Sequence, residues 1–542
     1  MDLWFSQARG STEVGPGWRL RRLAGAMLLM AFCLMAWAAS SAFGVERVFW
    51  DNYRDSPATI GSSNLDGSQG AALNLSGAEV KSPEGMAYDS VTGRLYVASS
   101  GSGENGQIIW VNIDGSGAGV FSAPGAPVES PEGIAIDPAT QKIYWVNTKG
   151  NGEAKGSLAW ANVDGSVGGF VNTSGATLSE PYRLAIDPQG GRVYWTNYGP
   201  TPDVMSYANL NNSGGGGDLN VSGSESVSNG GLAVDSAAGR LYWLGEKRIS
   251  FANVNGSGGG NIEVGGAVYE SPYGLALDPS AGKFYWGNYG VHTGEPSGIG
   301  FEPTSGSGGG AISPSGVTVN GPQDPVIVKS PSGTGVPAIT GASLPKSVLT
   351  CSQGSWAADY AGSFVYQAPR TYGYQWSLNG SAIAGATANT YTAAAVGSYT
   401  CSVTGTNPLG STTQTSATFK VAALKLTVKP KKVNAKAGKK ATFKATVSNP
   451  GSATVTGVRV CAKLSKKAKK GLKAGKCPAG ASIAAGKKKT VKVSLKAKKG
   501  AEGTYGFSIQ VPGKSFGAKA VKAKVSVKAP KKSNGKKGDT KH

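Results

Sequence analysis

The chain has 542 residues, a formal net charge of +22, 82 glycines, 12 tryptophans and 20 tyrosines. That length implies several domains. Frequent glycine, many aromatics and few long apolar periodic runs exclude a helix-built protein and point to an all-β chain with many tight turns. The charge is divided: residues 43–421 carry 17 Lys plus Arg against 28 acids, whereas residues 422–542 carry 33 against two, a net +31.

Residues 1–42 read as a cleaved secretory signal. Arg19, Arg21 and Arg22 precede the apolar run "LAGAMLLMAFCLMAWAA", and "SSA" at 40–42 supplies small residues for a cut after Ala42. An uncleaved anchor is the alternative. Cys33 lies inside the run behind Phe32, which is not a lipobox context. The expected location is therefore secreted or extracellular, in association with the cell envelope. Without Cys33 four cysteines are left, and an even number in an exported chain predicts two disulfides. No later segment is apolar enough to span a membrane as a helix.

An aromatic motif then recurs six times: "RVFW" at 47, "RLYV" at 94, "KIYW" at 142, "RVYW" at 192, "RLYW" at 240 and "KFYW" at 283. Five copies are preceded by a short apolar strand ending in Asp, such as "GIAID" at 133 and "GLALD" at 274. Four are followed by a turn of the type "NVDGS" at 162. Asp-Gly between strands marks a hairpin, and Asp opening "DPSAG" bonds its own backbone. A repeated β unit of this length signals a propeller. The order of the three signatures resembles the YWTD repeat of the low-density-lipoprotein receptor class B family, over about residues 45–330. The resemblance implies a six-bladed β-propeller. The first copy lacks an inner strand and "GPQDPVIVK" at 321 lacks an aromatic one, so the two should complete one blade and close the ring. The family's Asp at the fourth motif position is Asn52, Asn147, Asn197 and Asn288 here, so its inter-blade hydrogen bonds should form without charge.

Residues 331–421 read as short alternating strands. Cys351 and Cys401 bracket Trp376, and Tyr399 precedes Cys401 by two, as in a tyrosine corner. Together with "GSAIAGATANTYT" this resembles a bacterial immunoglobulin-like β-sandwich, with "AADYAGSFVYQAPR" as an inserted loop. Residues 422–529 alternate small apolar residues with Lys, which predicts a second sandwich with a lysine-coated outside. "VSNPGSATVTGVRV" resembles the adhesion-associated and conserved-repeat sandwiches of bacterial envelopes. Each cysteine pair falls within one predicted domain, so Cys351 should bond Cys401 and Cys461 should bond Cys477. Residues 530–542 form a basic tail expected to be disordered.

Chemistry is sparse. The two histidines, His292 and His542, come with no nucleophile elbow, no metal-ligand spacing is present, and the glycine runs lack the Lys-Ser/Thr of a phosphate loop. No cofactor, metal or catalytic residue is assigned, and the expectation is a non-enzymatic binding or structural protein. Function grafted on a repeat should lie where copies differ. On that face the candidate ligand-binding residues are Tyr182, Arg183, Tyr198, Lys247, Tyr273 and Tyr289, suited to a protein or glycan ligand. The alternative is an extracellular glycosidase- or lactonase-like propeller enzyme using Glu84 and Glu132. The lysine-rich domain is expected to hold anionic envelope polymers or lipid head groups. It has no aromatic ladder for a dedicated nucleic-acid site.

Overall fold

Alternation of buried and exposed side chains decides the architecture, which is all-β. The computed structural model describes residues 46–101, 106–148, 156–198, 204–227, 230–290, 297–363, 365–366 and 371–529. The predicted signal, His292, the basic tail and His542 lie outside them.

The aromatic motif falls where expected, on the second strand of each repeat. Pro131–Asp137, Lys142–Asn147, Ser157–Asn162 and Gly168–Phe170 form one antiparallel four-stranded sheet. Four more sheets repeat this order. In the remaining sheet the inner strand is Pro322–Lys329, and it pairs with Glu46–Asn52 from the other end of the repeat region. Each inner strand contacts the next, and Pro322–Lys329 contacts both Pro272–Asp278 and Pro83–Asp89. This cyclic, propeller-like arrangement leaves no open edge among the inner strands.

Side-chain size explains the close approach. Ala87, Ala135, Ala185, Ala233 and Ala276 lie on the inner strands and are buried. Trp50, Trp145, Trp195, Trp243 and Trp286 fill the space between sheets and are fully buried. Their indole N–H groups need partners there: Trp50 donates to Asn52 at 3.0 Å and Trp286 to Asn288 at 3.0 Å. The same asparagines accept from the segment entering their sheet: Asn52 from the Asn320 amide at 2.9 Å, and Asn288 from the Glu270 amide at 3.2 Å. A neutral amide therefore does the stitching. At the opposite end Asp137 accepts from the Ala139 amide at 2.9 Å, closing the Asp-Pro turn.

Behind the repeats, Thr371–Leu378 pairs with Gly397–Asn407, and Trp376 is buried against the Cys351–Cys401 disulfide. The Tyr399 hydroxyl donates to the Ala395 carbonyl at 2.9 Å. Residues 425–528 form two four-stranded sheets around one core that includes Phe443, Leu495, Ile509 and Val525. Cys461 bonds Cys477. The stapled loop contains one helical stretch, Lys466–Gly471, started by Ser465 capping the Ala468 amide at 3.1 Å.

The segment predicted as a simple inserted loop does something else. Tyr360–Ala361 pairs with Ile327 and Val328 of the last inner strand and with Val365–Tyr366 behind it. The Leu277 amide donates to the Gly362 carbonyl at 3.2 Å, and the Val234 amide donates to the Ser363 carbonyl at 2.8 Å. Tyr360 is buried and stacks on Tyr88 with ring centroids 5.9 Å apart. The hairpin thus enters the ring of inner strands from the Asp-Pro-turn end and takes up backbone groups of three sheets.

Candidate active site

The well at the other end of the ring is built by a repeated irregularity. Four inner strands begin with a residue at positive φ before proline: Ser82 at 48°, Ser130 at 46°, Glu180 at 46° and Ser271 at 45°. A register shift follows each of those prolines. Bulges of this kind re-aim side chains, and the residue just after each proline turns towards the axis. These are Glu84, Glu132, Tyr182 and Tyr273; Gln323 holds the place in the closing sheet. The next position is usually glycine, because a Cβ at Gly85 would meet the Glu132 carbonyl oxygen at 2.5 Å.

Arg183 breaks that glycine column and crosses the axis. Its Nη1 donates to the Glu84 carbonyl and pairs with Asp324 Oδ2 at 3.2 Å, and its Nη2 donates to Gln323 Oε1 at 3.4 Å. The guanidinium lies 4.7 Å from the Tyr182 ring centroid and 5.7 Å from that of Tyr273. One side chain therefore ties three sheets together. Beneath it a cavity of about 20 Å³, lined by Arg183, Asp324 and Ser363 among others, separates the cation from the hairpin.

Glu84 and Glu132 are each 8% exposed and lie close enough to act on each other's protonation; among the described residues Glu132 Oε2 has no hydrogen-bond partner. The Tyr182 hydroxyl donates to Glu84 Oε2 at 3.2 Å. Burial, and then the charge of Glu84, push the Glu132 carboxyl up to about 9. Burial raises Glu84 as well, but Arg183 opposes the shift. Of the two, Glu132 is pushed further towards the protonated form, while Arg183 pulls Glu84 back towards the ionised one. Burial also raises Asp324, against the pull of Arg183. Asp51 is raised well above the ordinary carboxylate range, by burial and then by the charges of Asp324 and Glu84. Burial pulls Arg183 down, yet the surrounding carboxylates and Tyr182 outweigh it, so the guanidinium stays charged.

Of the residues singled out in the sequence, Tyr182, Arg183 and Tyr273 meet in the well. Tyr289 joins them through Tyr273, with centroids 5.5 Å apart, and packs against Tyr53 at 5.6 Å. Tyr198 is 56% exposed at the outer rim. Lys247 is exposed, and among the described residues no hydrogen bond, ion pair or ring contact joins it to the well. Arg183 is buried at the axis rather than displayed on a rim. Sequence reading missed Asp51, Tyr53 and Arg54, whose guanidinium stacks 4.4 Å from the Tyr289 ring. Asp51 had a signal: its column in the other copies reads Ala98, Val146, Thr196, Leu244 and Gly287. Among the described residues no group of three or more His, Cys, Asp or Glu side chains is arranged to hold a metal.

The fold class is propeller-like, and solved structures share it. A TolB candidate from Agrobacterium tumefaciens is 12% identical, covering 52% of this chain and 91% of its own, with a TM-score of 0.35. A gluconolactonase from Xanthomonas campestris is 17% identical, covering 49% and 91%, with a TM-score of 0.32. A periplasmic gluconolactonase from Pseudomonas aeruginosa is 12% identical, covering 52% and 98%, with a TM-score of 0.33. No family model matches the chain, and no curated protein does. Two of these three structures are named as enzymes, and the expectation of a non-enzymatic protein is withdrawn on that finding. The chemistry rests on the residues of the well.

Proposed function

We propose that this protein is an exported hydrolase that opens cyclic esters by general acid–base chemistry at Glu84 and Glu132. The observation that carries the reading is a pair of buried glutamates at the same position of adjacent repeats, with the Tyr182 hydroxyl donating to Glu84 Oε2 at 3.2 Å and Arg183 donating to the Glu84 carbonyl. A buried pair whose members are pushed to different protonation states suits water attack on a carbonyl, as in other carboxyl dyads.

In this scheme ionised Glu84 accepts a proton from water as the water oxygen bonds to the carbonyl carbon. Glu132 gives its proton to the carbonyl oxygen. The tetrahedral adduct then returns the hydroxyl proton to Glu132 as the ring C–O bond breaks, and Glu84 delivers its new proton to the leaving oxygen. The dyad ends as it began. Tyr182 and Arg183 keep the charge on Glu84, and Tyr53, Tyr273 and Tyr289 offer ring faces for a flat cyclic substrate.

The finer fold reading belongs to the same proposal. It comprises a YWTD-type six-bladed head over 45–330, an immunoglobulin-like spacer over 331–421 and a lysine-rich sandwich over 422–529. Residues 1–42 act as a cleaved signal that delivers them to the envelope. The test is turnover by the full-length protein against a panel of sugar lactones and a panel of aryl glycosides, with spontaneous lactone hydrolysis subtracted. Lactone opening without glycoside cleavage is expected. Glycoside cleavage without lactone opening would overturn the assignment.

A further inference from the structure

The lysine-rich region has a groove of its own, apart from the well. Its sheet of Lys432–Lys436, Val521–Lys528, Gly503–Gln510 and Cys461–Leu464 presents one face to solvent. Register sets the charges on that face. Lys432 lies opposite Lys524 and Lys524 opposite Gly506, while Lys522 lies opposite Ser508 and Ser508 opposite Lys463. Gly506 has no side chain, and nothing stands within 4 Å of where one would be. The result is a groove of about 630 Å³ whose lining includes these lysines and Lys431, with no acidic residue.

Like charges directly opposite on neighbouring strands destabilise a sheet; Lys432 and Lys524 are such a pair here, as Lys444 and Lys492 are on the other sheet, and what sets this face apart is that its lysines line a groove. Glu502 is the only acid between 422 and 529. Among the described residues no ion pair involves a lysine of that span. Charge complementarity therefore calls for a polyanion. The exposed large apolar side chains, such as Val348 and Val396, all lie outside 422–529, so this surface has no wedge for a bilayer. Phe507 is 6% exposed and belongs to the core, so it offers no stacking platform for bases.

We propose that this groove binds a linear polyanion with repeating phosphates, held by the ammonium groups of Lys432, Lys463, Lys522 and Lys524 over Gly506. Lysine suits this task because a hydrated point charge follows phosphates without demanding one geometry.

The test is binding of inorganic polyphosphate to the full-length protein across a salt series. Two triple variants are compared: Lys463→Gln, Lys522→Gln and Lys524→Gln in the groove, and Lys444→Gln, Lys492→Gln and Lys496→Gln on the outer face of the other sheet. The groove variant should lose about a hundredfold in affinity. Its slope of log affinity against log salt should fall by about two. The control variant should lose less than a third as much, on a logarithmic scale. Equal loss from the two variants would overturn the groove as a site. Tighter binding of a polycarboxylate than of polyphosphate would overturn the phosphate assignment.

Discussion

Replacing Glu132 by Gln should lower kcat for lactone opening by about 10²–10⁴-fold, the usual contribution of a positioned acid or base. The change keeps the shape of the side chain, so it tests the proton and not the packing. KM should change little, because the ring faces of Tyr53, Tyr273 and Tyr289 are untouched. The melting temperature should hold, since Glu132 is already neutral in the folded protein near pH 7. Glu84→Gln should be as inactive, by removing the base while keeping an acceptor for the Tyr182 hydroxyl. A Glu132→Gln protein that keeps more than a tenth of the wild-type kcat would remove Glu132 from the mechanism. Loss of turnover together with loss of the folded state would reassign it to structure.

Arg183→Met should be the most destabilising single substitution in the head. It leaves the Glu84 carbonyl, Gln323 and Asp324 without their shared donor in a buried setting. It also leaves carboxylates that no longer face a cation. Breaking a buried pair by removing one partner costs about 3–5 kcal/mol, enough to lower the first unfolding transition by several degrees. Arg183→Lys should recover little, because one ammonium cannot fork to three partners. Asp324→Asn in the Arg183→Met background should recover part of the loss, since it removes a stranded charge. The measurement is thermal unfolding followed by tryptophan fluorescence, which reports the buried indoles of the sheets. A shift of less than about 1 kcal/mol equivalent would mean that solvent reaches the axis and that the guanidinium is not its keystone.

The parts of this molecule that were legible in the sequence are the parts it repeats. Tyr144 and Trp145 recur with their neighbours because every sheet solves the same packing problem, so five further copies confirm each reading of one. Closure of the ring could be read as well: an aromatic strand at 47 without its inner strand, and an inner strand at 322 without its aromatic one, have only each other. The site was half legible. The column holding Glu84, Glu132, Tyr182 and Tyr273 announced itself by varying where the rest of the repeat does not. The depth of Arg183 was hidden, because a break in a glycine column says that a side chain is present but not which way it runs. The hairpin around Gly362 left no trace of its role. It has no period, and its partners Val234, Leu277 and Ile327 are neighbours only after the ring has closed.

The central claim is that catalysis uses both Glu84 and Glu132, in different protonation states. The pH dependence of kcat/KM for lactone opening, corrected for spontaneous hydrolysis, tests this most directly. Activity needs Glu84 ionised and Glu132 protonated. As pH falls, Glu84 takes up a second proton and the rate declines, starting above the ordinary carboxylate range because burial raises that group. As pH rises through about 9, Glu132 loses its proton and the rate declines again. A bell-shaped profile with its alkaline limb near pH 9, absent from any residual activity of Glu132→Gln, is the predicted result. A rate that keeps rising through pH 9, or an alkaline limb unchanged in that variant, would contradict it.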